Sequence, residues 1–222
     1  MSLGSWSFAW RYDHMMARVE RSGLAAQRER LLTSAKGSVL EIGSGTGSNL
    51  RYYGGAVGDL TLTEPEPAMV KRLTRRVRND ARSARVLRAP AEDLPFDDDT
   101  FDVAVSTLVL CTVDDQPRAL RELRRVLRPG GQLLFIEHVR ADSPTLARWQ
   151  DRLNGLNRFV AHGCNCNRPT LATIGAAGFT VREVSHDRLP KAPPFVSPLV
   201  VGVADVVWPG PDKAGITTTT RR

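Results

Sequence analysis

From residue 38 onward, short apolar runs alternate with stretches in which apolar positions recur every three or four residues. The runs at 38–42, 60–63, 84–88, 101–106 and 132–137 are rich in aliphatic residues and bounded by polar or glycine-containing turns, so they read as strands. The segments between them at 48–53, 67–80 and 116–127 carry a helical period. Alternation of this kind predicts a parallel sheet with crossover helices. Strands that are apolar on both sides of the pleat belong inside such a sheet, covered on both faces.

The pattern changes after Glu137. Residues 144–160 and 169–177 read as helices, joined by a turn rich in cysteine and asparagine. Two strands follow, 179–186 and 199–206, across a proline-rich connection that suits an antiparallel pair closing the sheet edge. Upstream, residues 5–33 read as one or two amphipathic helices, with Trp6, Phe8, Trp10, Tyr12, Met15 and Met16 on their apolar faces. Those aromatics serve either as core packing or as a cover over a ligand. The expected organisation is a helical lid at 1–36, an α/β domain at 37–208 and a disordered tail at 209–222, where prolines and four consecutive threonines accumulate.

Composition narrows the class only a little. An apolar content of 41% and a charged content of 25% are those of a globular protein. The N-terminus shows no basic region followed by an apolar run, and no apolar stretch approaches the roughly 20 residues of a membrane helix, so a cytoplasmic address is expected. The net charge of +7 comes mostly from arginines at 71–88 and 118–128. Leucines and valines at core-facing intervals put those arginines on solvated helix faces, and few aromatics are interleaved to stack bases, so a nucleic-acid partner is not expected. Three cysteines do not make a disulfide framework.

The chemistry gathers around Glu41-Ile42-Gly43-Ser44-Gly45-Thr46-Gly47, directly after the first strand. Glycines there allow a tight turn and close approach of a ligand to the backbone. Glu64 ends the next strand, near the spacing at which an acid meets the ribose hydroxyls of a bound nucleoside. The dinucleotide fingerprint fails, because the third glycine arrives one residue early and Ser48 stands in its place. Glu41 and Glu64 stand at two strand ends, with Glu92 and Asp93 beyond the third strand, an acidic surround that suits a cation better than a pyrophosphate. S-adenosyl-L-methionine, with its sulfonium, ammonium and ribose diol, fits that charge pattern and NAD does not.

As an ordered set, Glu-x-Gly-x-Gly-x-Gly, Glu64, 91–96 (Ala-Glu-Asp-Leu-Pro-Phe), Phe101-Asp102-Val103 and 127–131 (Leu-Arg-Pro-Gly-Gly) resembles the motifs of class I methyltransferases, most closely the quinone-biosynthesis type. Gly178-Phe179 introduces the terminal hairpin typical of that class. The resemblance implies a Rossmann-like fold with a seven-stranded, mostly parallel sheet, a reversed terminal hairpin and helices on both faces. It also implies cofactor contacts at Glu41, Gly43, Ser44, Gly45, Gly47, Glu64, Pro65, Ala91, Glu92, Thr107 and Leu108. Many relatives have an aspartate where this chain has Pro90, so adenine would rest on Glu92, Asp93 or packing. Shorter fragments, Thr107-Leu108-Val109-Leu110-Cys111, Glu137-His138-Val139 and Gly163-Cys164-Asn165 with Arg168, are similar to membrane-associated thiol methyltransferases, without their hydrophobic anchor.

His138 follows the fifth strand on the side where the acceptor would lie, and reads either as a general base or as a hydrogen-bonded structural histidine. Cys111 lies near the expected path of the methyl group, and Trp149 and Phe159 are candidate walls for the acceptor. His162, Cys164 and Cys166 lack the second ligand pair of structural zinc, so no metal is expected. The expected function is methyl transfer from S-adenosyl-L-methionine to a small-molecule acceptor such as a thiol, phenol or quinol. An RNA methyltransferase and a non-catalytic nucleotide-binding module are the alternatives, and the oligomeric state is left open.

Overall fold

The strands form one seven-stranded sheet in the order β3-β2-β1-β4-β5-β7-β6. They are β1 (Gly37–Ile42), β2 (Val57–Thr63), β3 (Arg85–Leu87), β4 (Phe101–Thr107), β5 (Leu127–His138), β6 (Phe179–Arg188) and β7 (Pro198–Val206). The first five pair in parallel, and β7 runs antiparallel to both β5 and β6. The computed structural model describes residues 17–80, 82–161 and 163–207. The aromatic N-terminal segment, His162 and the threonine-rich tail lie outside the described residues.

Alternation along each strand builds two apolar layers. Leu40, Ala104, Leu133, Phe135, Val200 and Ala204 face one side, where α3 (Gln116–Val126) and α5 (Thr170–Ala176) contribute Leu120, Leu123 and Ile174. Val39, Leu62, Val105, Leu134, Ile136 and Val201 face the other, against Leu31 and Leu32 of α1 (Ala25–Leu32) and Leu73 of α2 (Pro67–Arg78). A π-helical turn, Glu20–Leu24, precedes α1. Glu66 and Asp115 cap α2 and α3 through side-chain oxygens that accept from backbone N–H groups. Arg75, Arg78, Arg118 and Arg121 are exposed, as the amphipathic pattern requires.

Two readings of the sequence need correction. Residues 48–53 do not form an α-helix, only the 3-10 turn Leu50–Tyr52. The segment is hemmed in by Gly47 at positive φ and by extended Tyr53 before two glycines, leaving too few residues to offset helix nucleation. Strand β5 also starts five residues early, at Leu127, with a register irregularity opposite Phe101 and Val103 where the Arg-Pro-Gly-Gly bend is absorbed.

Strand order reverses at β1, whose neighbours β2 and β4 lie on opposite sides, and such switch points open a crevice at the carboxyl ends of the strands. Helix α4 (Pro144–Val160) lies near that end of β5, where Gln150 donates to the carbonyls of Val139 and Cys166. Among the described residues no helix is long and apolar enough to cross a membrane.

Candidate active site

One wall of the crevice is the turn after β1. Gly43 and Gly45 both have positive φ, at 54° and 56°. A Cβ on Gly43 would lie 2.6 Å from a methyl of Val109, so the turn packs directly on the loop after β4. A Cβ on Gly45 would meet nothing within 4 Å, so that glycine faces open space. Ser44 N–H donates to the carbonyl of Thr63, and its hydroxyl donates to the carbonyl of Glu41. Gly47 N–H closes the turn on the carbonyl of Ser44.

Two carboxylates frame this opening. Glu64, at the end of β2, accepts from Gly45 N–H at 2.9 Å and from Glu66 N–H at 3.0 Å. Burial raises its pKa, and the two N–H donors oppose the rise. Glu41 is almost fully buried, and Tyr53 donates its hydroxyl to it at 2.5 Å. Burial pushes the Glu41 carboxyl up to about 7, against the opposing influence of Tyr53 and the Arg28 guanidinium. Arg28 is itself buried, paired with Glu20 at 2.9 Å and donating to Asn49 and Thr107. Asn49 donates to Thr107 as well. An open glycine turn with two buried acids fits a ligand that carries a cation and a diol.

The opposite wall is held by Glu137. Its Oε1 accepts from the Ser106 hydroxyl at 2.6 Å and from Val109 and Leu110 N–H at 3.0 Å, while its Oε2 accepts from Cys111 N–H at 3.2 Å. This buried carboxylate therefore fixes the loop after β4, whose Leu108 adopts φ 61°. That loop is also tied to the segment after α4. Asn165 N–H donates to the carbonyl of Cys111 at 2.7 Å, and Arg168 donates to the carbonyls of Leu110 and Val113, both at 2.7 Å. Asn157 donates to the carbonyl of Cys164.

These ties bring three side chains together. His138 Nδ1 lies 3.6 Å from Cys111 Sγ and 3.4 Å from Cys164 Sγ, and all three residues are buried. His138 Nε2 is buried without a hydrogen-bond partner among the described residues. The neighbouring Cys111 and the imidazole of His138 lower the Cys164 thiol, against the opposing effect of burial. The nearby Cys164 and burial push the Cys111 thiol well up.

The structure thus gathers Glu41, Gly43, Ser44, Gly45, Gly47, Glu64, Thr107 and Leu108 at or just beyond the carboxyl ends of β1, β2 and β4. Pro65 follows Glu64, and its carbonyl accepts from Arg88. Ala91 is buried in the core, and Glu92 accepts from Asp114 and Asp115 N–H, so its carboxylate anchors the start of α3. Trp149 and Phe159, read as walls of the acceptor pocket, are 53% and 85% exposed and point outward instead. Their places on α4 fall opposite the buried stripe of Ala147, Gln150 and Asn157. Sequence reading missed Arg28, Glu137 as an anchor, and the convergence of Cys111 with Cys164. Only the polar character of Glu137 among apolar neighbours signals the second, and nothing in the charged run around Arg28 signals the first.

A methyltransferase-domain family model matches residues 40–135. Thiol S-methyltransferase TMT1A of Homo sapiens is 34% identical over 197 residues, covering 87% of this chain and 80% of the relative. The ubiquinone/menaquinone biosynthesis C-methyltransferase UbiE of Idiomarina loihiensis is 40% identical over 118 residues, 51% of this chain and 47% of the relative. Among solved structures, an S-adenosylmethionine-dependent methyltransferase from Mesorhizobium loti superposes with a TM-score of 0.64 at 18% identity, over 83% of this chain and 97% of that one. With the reversed hairpin and the open glycine turn between two buried acids, these likenesses identify the chain as a member of the class I S-adenosylmethionine-dependent methyltransferase family, acting on a small-molecule acceptor.

Proposed function

We propose that this enzyme methylates the sulfur of a small thiol. The observation that carries this reading is the extent of likeness to the human thiol S-methyltransferase. A match over 87% of the chain is long enough to take in the segments around Cys111, His138 and Cys164. The quinone-type match covers 51% of the chain, and a quinol is the second reading. A methyl-transfer screen with labelled cofactor against thiols, quinols, phenols and amines tests both. Labelled thioether is expected, and product only from quinols would overturn the thiol reading.

Glu41 would meet the ammonium of the cofactor, the turn from Gly43 to Gly47 with Ser44 its methionine chain, and Glu64 its ribose diol. Pro65, Ala91 and Glu92 would border adenine, and Thr107 and Leu108 would close the side facing the acceptor. When bound, the cofactor supplies a methyl group on a sulfonium, a good leaving group, so positioning is most of what the protein must provide. The acceptor would enter beside His138, Cys111 and Cys164.

Two expected results test the cofactor side. Glu64→Ala should weaken S-adenosylmethionine binding by about 1.5–3 kcal/mol, the range for hydrogen bonds to a charged group. Calorimetry should find the same loss for S-adenosylhomocysteine, which shares the ribose. A loss confined to the sulfonium form would make Glu64 a charge partner instead.

The second concerns pH. Glu41 titrates near 7, so below that it is protonated and neutral. A raised folded pKa makes its contribution to stability largest below the ordinary carboxylate range, and that contribution fades as pH rises toward 7. An ammonium ligand favours the ionised form, so binding at pH 6 must expel a proton. Cofactor affinity should therefore rise with pH up to about 7 and then level. Titrations of Glu41→Gln should lose this slope, and a wild-type affinity that ignores pH would remove Glu41 from the ammonium.

A further inference from the structure

We propose that Cys111, His138 and Cys164 form a metal site for one zinc ion, with an open fourth position that takes the sulfur of the acceptor. The fourth-position assignment rests on the thiol reading above, whereas the three-ligand site stands without it.

The two nitrogen–sulfur separations match those of a tetrahedral donor set. Zinc binds thiolate sulfur at about 2.3 Å and imidazole nitrogen at about 2.0–2.1 Å, so tetrahedral angles place the two donors about 3.6 Å apart. His138 Nδ1 stands 3.6 Å from one sulfur and 3.4 Å from the other. All three donor atoms lie within 4.8 Å of one another. Two cysteines and one histidine are a ligand set that catalytic zinc uses when it keeps one position for substrate. Soft thiolates favour zinc over magnesium or calcium, which prefer oxygen donors.

The scaffold holds the donors in place without an ion. Glu137 clamps Cys111 N–H, Asn165 ties its segment to the Cys111 carbonyl, Asn157 holds the Cys164 carbonyl, and His138 ends β5. Charge also fits, because two thiolates and a divalent cation sum to zero, which a buried site requires. With Nδ1 on the metal, the imidazole proton must sit on Nε2. That atom is buried and without a partner among the described residues, leaving a donor free for the acceptor or a water.

The step balances simply. The acceptor sulfur displaces water from the cation and releases its proton to solvent. Its lone pair then forms the new sulfur–methyl bond as the bond from that methyl to the sulfonium breaks, leaving a neutral thioether and S-adenosylhomocysteine. The thioether is a poor zinc ligand and departs.

The test uses the full chain, stripped of metal by chelation under a non-thiol reductant, then titrated with zinc alone and with cobalt(II) as a spectroscopic probe. One equivalent of each should bind, and the cobalt form should show thiolate-to-metal charge transfer with intense tetrahedral d–d bands. Cys111→Ser and Cys164→Ser should each lose affinity by more than the roughly 10–100-fold that an outer-shell change costs. Cys166→Ser, a buried cysteine outside the cluster, should bind as the wild type does. The wild-type cobalt spectrum is decisive even where a variant fails to fold. No bound cation, octahedral cobalt bands, or equal loss in Cys166→Ser would overturn the site. Full thiol methylation by metal-free protein would overturn the role in acceptor binding while the thiol reading stands. Zinc bound in the cluster with no thiol methylated would keep the site and overturn that reading.

Discussion

Replacing Gly45 by valine is expected to abolish measurable S-adenosylmethionine binding while the protein still folds. The space around its missing Cβ is empty for 4 Å, so a Cβ there meets no protein atom. On the proposed placement of the cofactor, it would meet the methionine chain. The folded state still bears a cost, because φ at this position is 56° and L-residues in that region cost roughly 1–2 kcal/mol. For a domain of this size that corresponds to a fall in Tm of about 2–8 °C. Calorimetry and a thermal melt on the same preparation check both halves. Wild-type affinity in a folded variant would show that the cofactor does not pass over this turn.

The largest expected loss of stability is at Glu137. Truncation to alanine strands the Ser106 hydroxyl and the N–H groups of Val109, Leu110 and Cys111, all buried behind the sheet edge. An unsatisfied buried donor costs about 1–3 kcal/mol, so four approach a large fraction of the ~5–15 kcal/mol that holds a typical domain. Water entering the cavity returns part of this. A net loss of about 5 kcal/mol, or about 10–20 °C in Tm, is expected. Glu137→Gln keeps one acceptor oxygen but turns an amide donor toward Cys111 N–H, and should lose only about 1–3 kcal/mol. Urea melts of the two variants separate these cases. An alanine variant as stable as the wild type would mean that the loop after β4 does not depend on this carboxylate.

Much of the architecture was legible because local signals and the fold agree. Apolar runs such as 38–42 and 101–106 can be covered only from both faces, and their alternation with helices leaves few topologies. The glycine turn and Glu64 were legible for a related reason, since their spacing lies within one strand–turn–strand unit. The failures have the opposite character. Residues 48–53 carried a helical pattern, but Gly47 and the glycines after Tyr53 left room only for a 3-10 turn. Along the chain, His162, Cys164 and Cys166 are the neighbours that suggest a cluster. The sulfur that joins Cys164 at the imidazole is Cys111, brought there by β4, β5 and the turn after α4. Nothing in local spacing reports a contact made by three separate segments.

The strand order has a consequence for how such a chain can be recombined. The residues that frame the glycine turn come from the first half of the chain, whereas His138 and Cys164 come from the end of β5 and beyond. The family model stops at residue 135, two positions short of Glu137. The glycine turn and the cluster at His138 are thus supplied by separate stretches of the chain. Glu137 is where the two stretches meet, because its carboxylate fastens the loop that packs on Gly43. Chimeras joined before that residue would have to carry a carboxylate at the same place, or the borrowed half would find no partner in the half that was kept.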